Sequence, residues 1–158
     1  MNPAPALITL PDAAATEALG ARIAARLAVG DVLLLFGDLG AGKTTLARGL
    51  VGAWTGEGDE TPSPTYTLVQ TYDGQKGSGR GELWHFDLYR LESPDDAAEL
   101  GLDEALASGV AVIEWPERLG EGGRAFAPPD RVELRLAMDG EGRRAEIMGF
   151  GRLRELDL

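Results

Sequence analysis

The chain has 158 residues, 44% of them apolar, enough for one buried core and too many for wholesale disorder. It has no cysteine, which excludes disulfides, thiolate metal sites and cysteine nucleophiles and fits a reducing compartment. Its formal charge of −11 repels nucleic-acid phosphate over most of the surface, which argues against unaided RNA or DNA binding.

The first residues, MNPAPALITLP, carry neither a basic stretch nor a long apolar one, so they do not read as a secretory signal. No run approaches the roughly 20 apolar residues of a membrane span, and a cytoplasmic protein without membrane contact is the expectation. ALITL (6–10) reads as a short strand. Asp12 is placed to cap a helix running to about residue 28, with Leu19, Ile23 and Leu27 on one face. DVLLLF (31–36) is a continuous apolar run, as expected of a strand covered on both sides. A glycine-rich loop follows. KTTLARGLVGAW (43–54) then reads as a helix with Leu46, Leu50 and Trp54 on one face.

TGEGDETPSPTYT (55–67) is a loop. YTLVQTY (66–72) reads as a strand, the glycine-rich 73–81 as a turn, and ELWHFDLYRL (82–91) as the second arm of a hairpin. Residues 93–109 read as helical, with Ser93 as cap and Gly101 as an interruption. VAVIEW (110–115) is a second buried strand. Residues 120–130 form a loop, and a terminal hairpin spans 131–150 with its turn at DGEG. The predicted fold is one α/β domain over 1–158. It is a three-layer, P-loop NTPase-type sheet with parallel central strands, added antiparallel hairpins and flanking helices. A ligand is expected beyond the carboxyl ends of the parallel strands.

FGDLGAGKTTL carries the chemistry. Gly37, Gly42, Lys43 and Thr44 match G-x-x-x-x-G-K-[ST] between a strand and a helix, the context that motif requires. The glycines let the loop curl so that several amides face one anion, and the helix adds its N-terminal partial positive charge. Asp38, Leu39, Gly40, Ala41, Gly42, Lys43, Thr44 and Thr45 are therefore expected to line the phosphates. Lys43 reaches the β- and γ-phosphates and Thr44 ligates Mg²⁺. The chain uses 13 arginines but only two lysines, Lys43 and Lys76, so a lysine at this point is not background composition. A compact ammonium fits the loop where a planar guanidinium does not.

Such a site needs an acid from a neighbouring strand, to hold the metal or to orient the attacking water. Two residues qualify: Glu114, the first charge after VAVI, and Asp87 in WHFDLYR. Lys43, Glu114 and Asp87 are the catalytic candidates, and Thr44, Glu114 and Asp87 the metal-ligand candidates; the alternative for Glu114 is a solvated strand-end residue, and for Asp87 a turn or capping acid. His85, the single histidine, reads as a satisfied, half-buried residue. Trp115 reads as core packing or as an aromatic set against nucleotide or partner. In the 61–67 loop, Thr65 is the residue placed to sense the γ-phosphate.

Three functional classes share this P-loop. A GTPase is disfavoured, because the only asparagine, Asn2, cannot supply an Asn-Lys-x-Asp guanine reader. A small-molecule kinase would need a lid, for which 120–131 offers arginines. A nucleotide-gated interaction module would use ATP to change shape, with turnover incidental.

GDLGAGKTTLARGL, SPTYTLVQTY, HFDLYRL, ELGLDE and VIEWPERL, in that order, resemble the TsaE family, the bacterial ATPases of tRNA threonylcarbamoyladenosine biosynthesis. The resemblance spans about residues 7–136. It implies a small P-loop ATPase that works with TsaB and TsaD proteins to modify N6 of adenosine 37 in tRNA. In that scheme ATP hydrolysis resets the complex, and tRNA is reached only through the partners. It further implies that Thr44 and Glu114 hold Mg²⁺, that Asp87 is a switch-region acid and that Trp115 is functional. SPTYT and HFDLYR would be the two switches, with Pro11 and Thr16 near the adenine. The turn at 77–81 is longer and richer in glycine than the family pattern, and the C-terminal hairpin matches only in outline.

Overall fold

In a computed structural model the described residues are 5–38, 40–56, 68–75, 77–120, 128–156 and 158. They form a seven-stranded mixed sheet of order β1-β7-β6-β2-β5-β4-β3. The strands are β1 (Ala6–Leu10), β2 (Val32–Phe36), β3 (Val69–Asp73), β4 (Glu82–Asp87), β5 (Gly109–Glu114), β6 (Arg131–Asp139) and β7 (Gly142–Phe150). Strands β6, β2, β5 and β4 run parallel, with β3 antiparallel to β4 at one side and the β6–β7 hairpin and β1 at the other. The expected α/β class and parallel centre are what the structure shows.

Alternation along the central strands sorts the core into two layers. Leu33 and Leu35 of β2 and Val110 and Val112 of β5 face α1 (Ala13–Ala24) and α2 (Lys43–Thr55). Val32, Leu34, Ala111 and Ile113 face α3 (Leu102–Ser108) and its neighbours. Every residue of β2 and β5 is buried, as a parallel strand with helices on both faces requires. The predicted helical faces hold: Leu19, Ile23, Leu27, Leu46, Leu50 and Trp54 are all in the core. Among the described residues no helix is long and apolar enough to cross a membrane.

Several boundaries differ from the sequence reading. The first helix ends at Ala24, and Leu27 reaches the core from the turn after it. Strand β4 stops at Asp87, whose carboxylate accepts a hydrogen bond from the Tyr89 amide (3.1 Å) and turns the chain. The 93–109 segment splits into a 3₁₀ helix (Pro94–Leu100), capped by Ser93 as expected, and α3, with Gly101 between them at φ +86°. Trp115 lies outside β5.

The long turn before β4 has a structural use. Arg80 stacks on Trp54 and donates to the carbonyls of Ala24 and Leu27, while Trp54 Nε1 donates to the Gly81 carbonyl. The turn is thereby tied to the end of α1 and to α2.

Helices α1 and α2 cross at two glycines. A Cβ on Gly20 would meet the Leu46 carbonyl oxygen at 2.1 Å, and one on Gly49 would meet that of Glu17 at 2.1 Å. Both obstacles are backbone, so the helices would have to separate. Alanine's higher helix propensity is worth only about 1 kcal/mol and does not offset that. Gly20→Ala is therefore expected to destabilise the protein by about 1–3 kcal/mol, read as a lower midpoint in urea unfolding with an unchanged slope.

Candidate functional site

The P-loop leaves β2 at the carboxyl end of the sheet and delivers the chain into α2. Gly42 sits at φ +102° immediately before the helix, a conformation open to glycine at little cost. Among the described residues no side chain caps the first turn of α2. Thr44 is exposed at that turn, with Thr45 half-buried beside it. Lys43 is buried at 5% exposure. Its ammonium donates to the Gly37 carbonyl and lies 3.3 Å from the centre of the Trp115 ring.

The two candidate acids stand opposite. Leu83, His85 and Asp87 alternate on the α2 face of β4, and Val110, Val112 and Glu114 do so on β5. Asp87 and Glu114 are direct register partners at the carboxyl ends of these strands. The same alternation that builds the core thus ends in two neighbouring carboxylates below Lys43.

His85 departs from its reading as half-buried. It is 3% exposed, and its Nε2 lies 2.6 Å from Glu114 Oε2, with Glu114 itself 2% exposed. Trp115, the residue after Glu114, adopts φ +60° and leaves the sheet to start a short 3₁₀ turn, Pro116–Leu119. Its ring lies 4.9 Å from that of Tyr89, which in turn faces the Arg118 guanidinium at 5.8 Å. Trp115 therefore covers Lys43 rather than filling the core alone.

Burial pulls the Lys43 ammonium below its ordinary pKa, opposed by Glu114 and then Glu117, Asp87 and Asp38. Burial pushes the Asp87 carboxyl up, and Glu114 adds to the rise. The Tyr89 amide, His85 and Lys43 oppose it. Four carboxylates thus act on one ammonium, a balance that disfavours a bare polyphosphate and favours one carrying a divalent cation. Among the described residues no group of three or more His, Asp or Glu side chains is arranged to hold a metal by itself. The Thr44 hydroxyl with Glu114 and Asp87 fits the usual P-loop case, in which substrate phosphates supply the remaining oxygens.

Asp87 has a direct consequence for stability. Its folded pKa is raised, so its contribution to stability is full below the unfolded value of 3.8 and is lost as pH rises through the folded value. At neutral pH the ionised group is a net cost to the ligand-free fold. Asp87→Asn keeps an acceptor for the Tyr89 amide and removes that cost. The ligand-free variant should melt above the parent at neutral pH and converge with it at acidic pH, measured by circular dichroism.

Two hollows flank the loop. One, of about 240 Å³, is lined by Asp12, Ala13, Thr16, Thr45, Glu141 and Arg143, with Gly42 and Gly142 beside them. The other, of about 430 Å³, lies between the loop, Trp115, Glu117 and β6. Thr16 is thus brought to the P-loop, whereas exposed Pro11 packs beside Gly142 and does not line the smaller hollow. Ala41 is buried, and Gly40 and Asp38 are exposed. Leu39, Thr65 and the rest of the 61–67 loop, and most of the 120–131 lid segment, lie outside the described residues.

Arg143 was not foreseen. It donates to the Gly40 carbonyl (2.9 Å), and its Nε is buried without a hydrogen-bond partner among the described residues. Its position follows from the pairing of Leu10 with Arg143 across β1 and β7, a long-range register that no local pattern announces. The signal at hand was the two-residue hairpin turn, which places Arg143 near the tip of β7.

A family model described as "Threonylcarbamoyl adenosine biosynthesis protein TsaE" matches residues 10–146. The chain is 39% identical over 149 residues to a Nostoc tRNA threonylcarbamoyladenosine biosynthesis protein TsaE, covering 90% of this chain and 85% of the relative. It is 37% identical over 134 residues to the protein of that name from Rickettsia conorii, covering 84% and 72%. For the one from Streptomyces coelicolor the identity is 41% over 119 residues, covering 75% and 76%. The crystal structure of Bacillus subtilis YdiB superposes with a TM-score of 0.74 at 28% identity, covering 99% of this chain and 93% of that one. With its P-loop, its strand-end acids and these likenesses together, the chain belongs to the TsaE family.

Proposed function

We propose that this protein is a Mg²⁺-dependent ATPase required for N6-threonylcarbamoyladenosine formation at adenosine 37 of tRNA, acting with TsaB- and TsaD-type partners and not transferring the group itself. The observation that carries the ATPase reading is the buried Lys43 at the mouth of α2, facing the paired carboxylates Asp87 and Glu114. The relatives' shared name carries the pathway.

Lys43 and the first-turn amides of α2 hold the β- and γ-phosphates, and they oppose the charge that builds on the leaving oxygens. To do so, Lys43 gives up its contact with the Trp115 ring. Thr44 and Glu114 would hold the metal, with Asp87 as the second acid beside Glu114 in register. When bound, Mg²⁺ would supply positive charge against that of the phosphates. Thr16, Thr45 and the smaller hollow lie where the nucleoside would extend from the loop. The acidic surface disfavours direct tRNA binding, and recognition of the tRNA falls to the partners, in the cytoplasm.

The experiment is a reconstitution with purified TsaB, TsaD, tRNA, threonylcarbamoyl donor and Mg²⁺-ATP. The isolated chain should hydrolyse ATP slowly and faster when the partners are added. Modified tRNA should exceed the amount of TsaD only when this protein is present. Full multiple turnover without it would overturn the proposed role.

A further inference from the structure

Glu114 is an awkward metal ligand as it stands. It has three rotatable side-chain bonds, sits 2% exposed, and has Asp87 beside it in register, repelling its charge. The chain leaves the sheet immediately afterwards at Trp115, so backbone pairing beyond Glu114 does not hold it. Free to rotate, such a side chain would lose roughly 1.5–2 kcal/mol of entropy on being fixed.

One contact fixes it in advance. His85 Nε2–H donates to Glu114 Oε2 at 2.6 Å, with both side chains 3–4% exposed. In the parallel ladder His85 is opposite Val112, so it reaches diagonally to Glu114, two residues further on and on the same face. A carboxylate that gives one oxygen to the imidazole keeps the other free. Resting on the metal-site reading above, we infer that His85 is a positioning residue: it holds Glu114 Oε2 and so presents the remaining oxygen to the cation in one orientation. Partners of this kind are worth about 10–100-fold in metal affinity.

The test uses Mn²⁺ binding to the protein–ADP complex, followed by the loss of the free-ion electron paramagnetic signal. ADP affinity without metal and thermal melts are measured alongside. His85→Leu fills the space without donating. His85→Asn is polar but too short to reach. His85→Gln places an amide donor near the Nε2 position. Leucine and asparagine should weaken Mn²⁺ binding at least about tenfold, leave metal-free ADP affinity within about twofold, and be rescued by glutamine. Mn²⁺ affinity at parental level in the leucine or asparagine variant overturns the inference, as does a glutamine variant no better than asparagine. The glutamine–asparagine comparison stands even if the leucine variant does not fold. If the parental ADP complex takes up no more Mn²⁺ than free ADP, the metal site itself is refuted, a different result from any variant pattern.

Discussion

Lys43→Ala is expected to abolish measurable binding of Mg²⁺-ATP and, with it, hydrolysis. Hydrogen bonds from a charged donor are worth about 1.5–3 kcal/mol each, and Lys43 is placed for two phosphates, so the loss is at least about a hundredfold in affinity. The surroundings enlarge it. Glu114, Glu117, Asp87 and Asp38 all act on this one ammonium, and without it their negative charge is no longer opposed by Lys43. Lys43→Arg should not rescue, because a compact ammonium fits the curled glycine loop where a planar guanidinium fork does not. Calorimetry with and without Mg²⁺, on protein whose melt shows it folded, checks both variants. Binding by Lys43→Ala at parental strength would place the nucleotide elsewhere.

The sequence exposed the local parts of this site and concealed the long-range ones. The P-loop is contiguous, and the strand before it and helix after it are read from apolar pattern alone. Glu114 was visible as the first charge after a buried run, because a parallel strand stays apolar until it reaches the ligand end. That His85 belongs with Glu114 was not visible, since it requires β4 to lie beside β5 in one register. A lone histidine on an amphipathic strand gives the same local signal when it is only packing. Arg143 was hidden for the same reason, through β1 and β7. Trp115 was read as a strand residue because an aromatic after VAVIE continues the β pattern. Its positive φ is set by the turn into Pro116 and by the seat it takes over Lys43. The split helix at Gly101 and the early end of β4 come from backbone choices, a left-handed glycine and an aspartate turn, that override the apolar pattern around them.

Glu114→Gln should separate chemistry from binding. The amide keeps the shape of the side chain and still offers an oxygen to His85 Nε2–H, so the buried pair is not broken as it would be by alanine. An orphaned buried donor would cost about 1–3 kcal/mol on its own and blur the result. What glutamine removes is the charge. Nucleotide affinity should change little, within about tenfold, because Lys43 and the α2 amides carry most of it and one nearby repulsion is relieved. The hydrolysis rate should fall by about 100–1000-fold, since the proposed metal site loses its buried anionic oxygen where charge shifts during phosphoryl transfer. Half-maximal activity should need more Mg²⁺. Asp87→Asn supplies the contrast. Its effect on stability is favourable in the ligand-free protein, and it leaves Glu114 and its histidine in place. Single-turnover hydrolysis and equilibrium ATP binding, measured on the same preparations across a Mg²⁺ series, decide the matter. If rate and affinity fall together in Glu114→Gln, with no dependence on Mg²⁺, then Glu114 supports the fold of the loop and the chemistry rests on another acid.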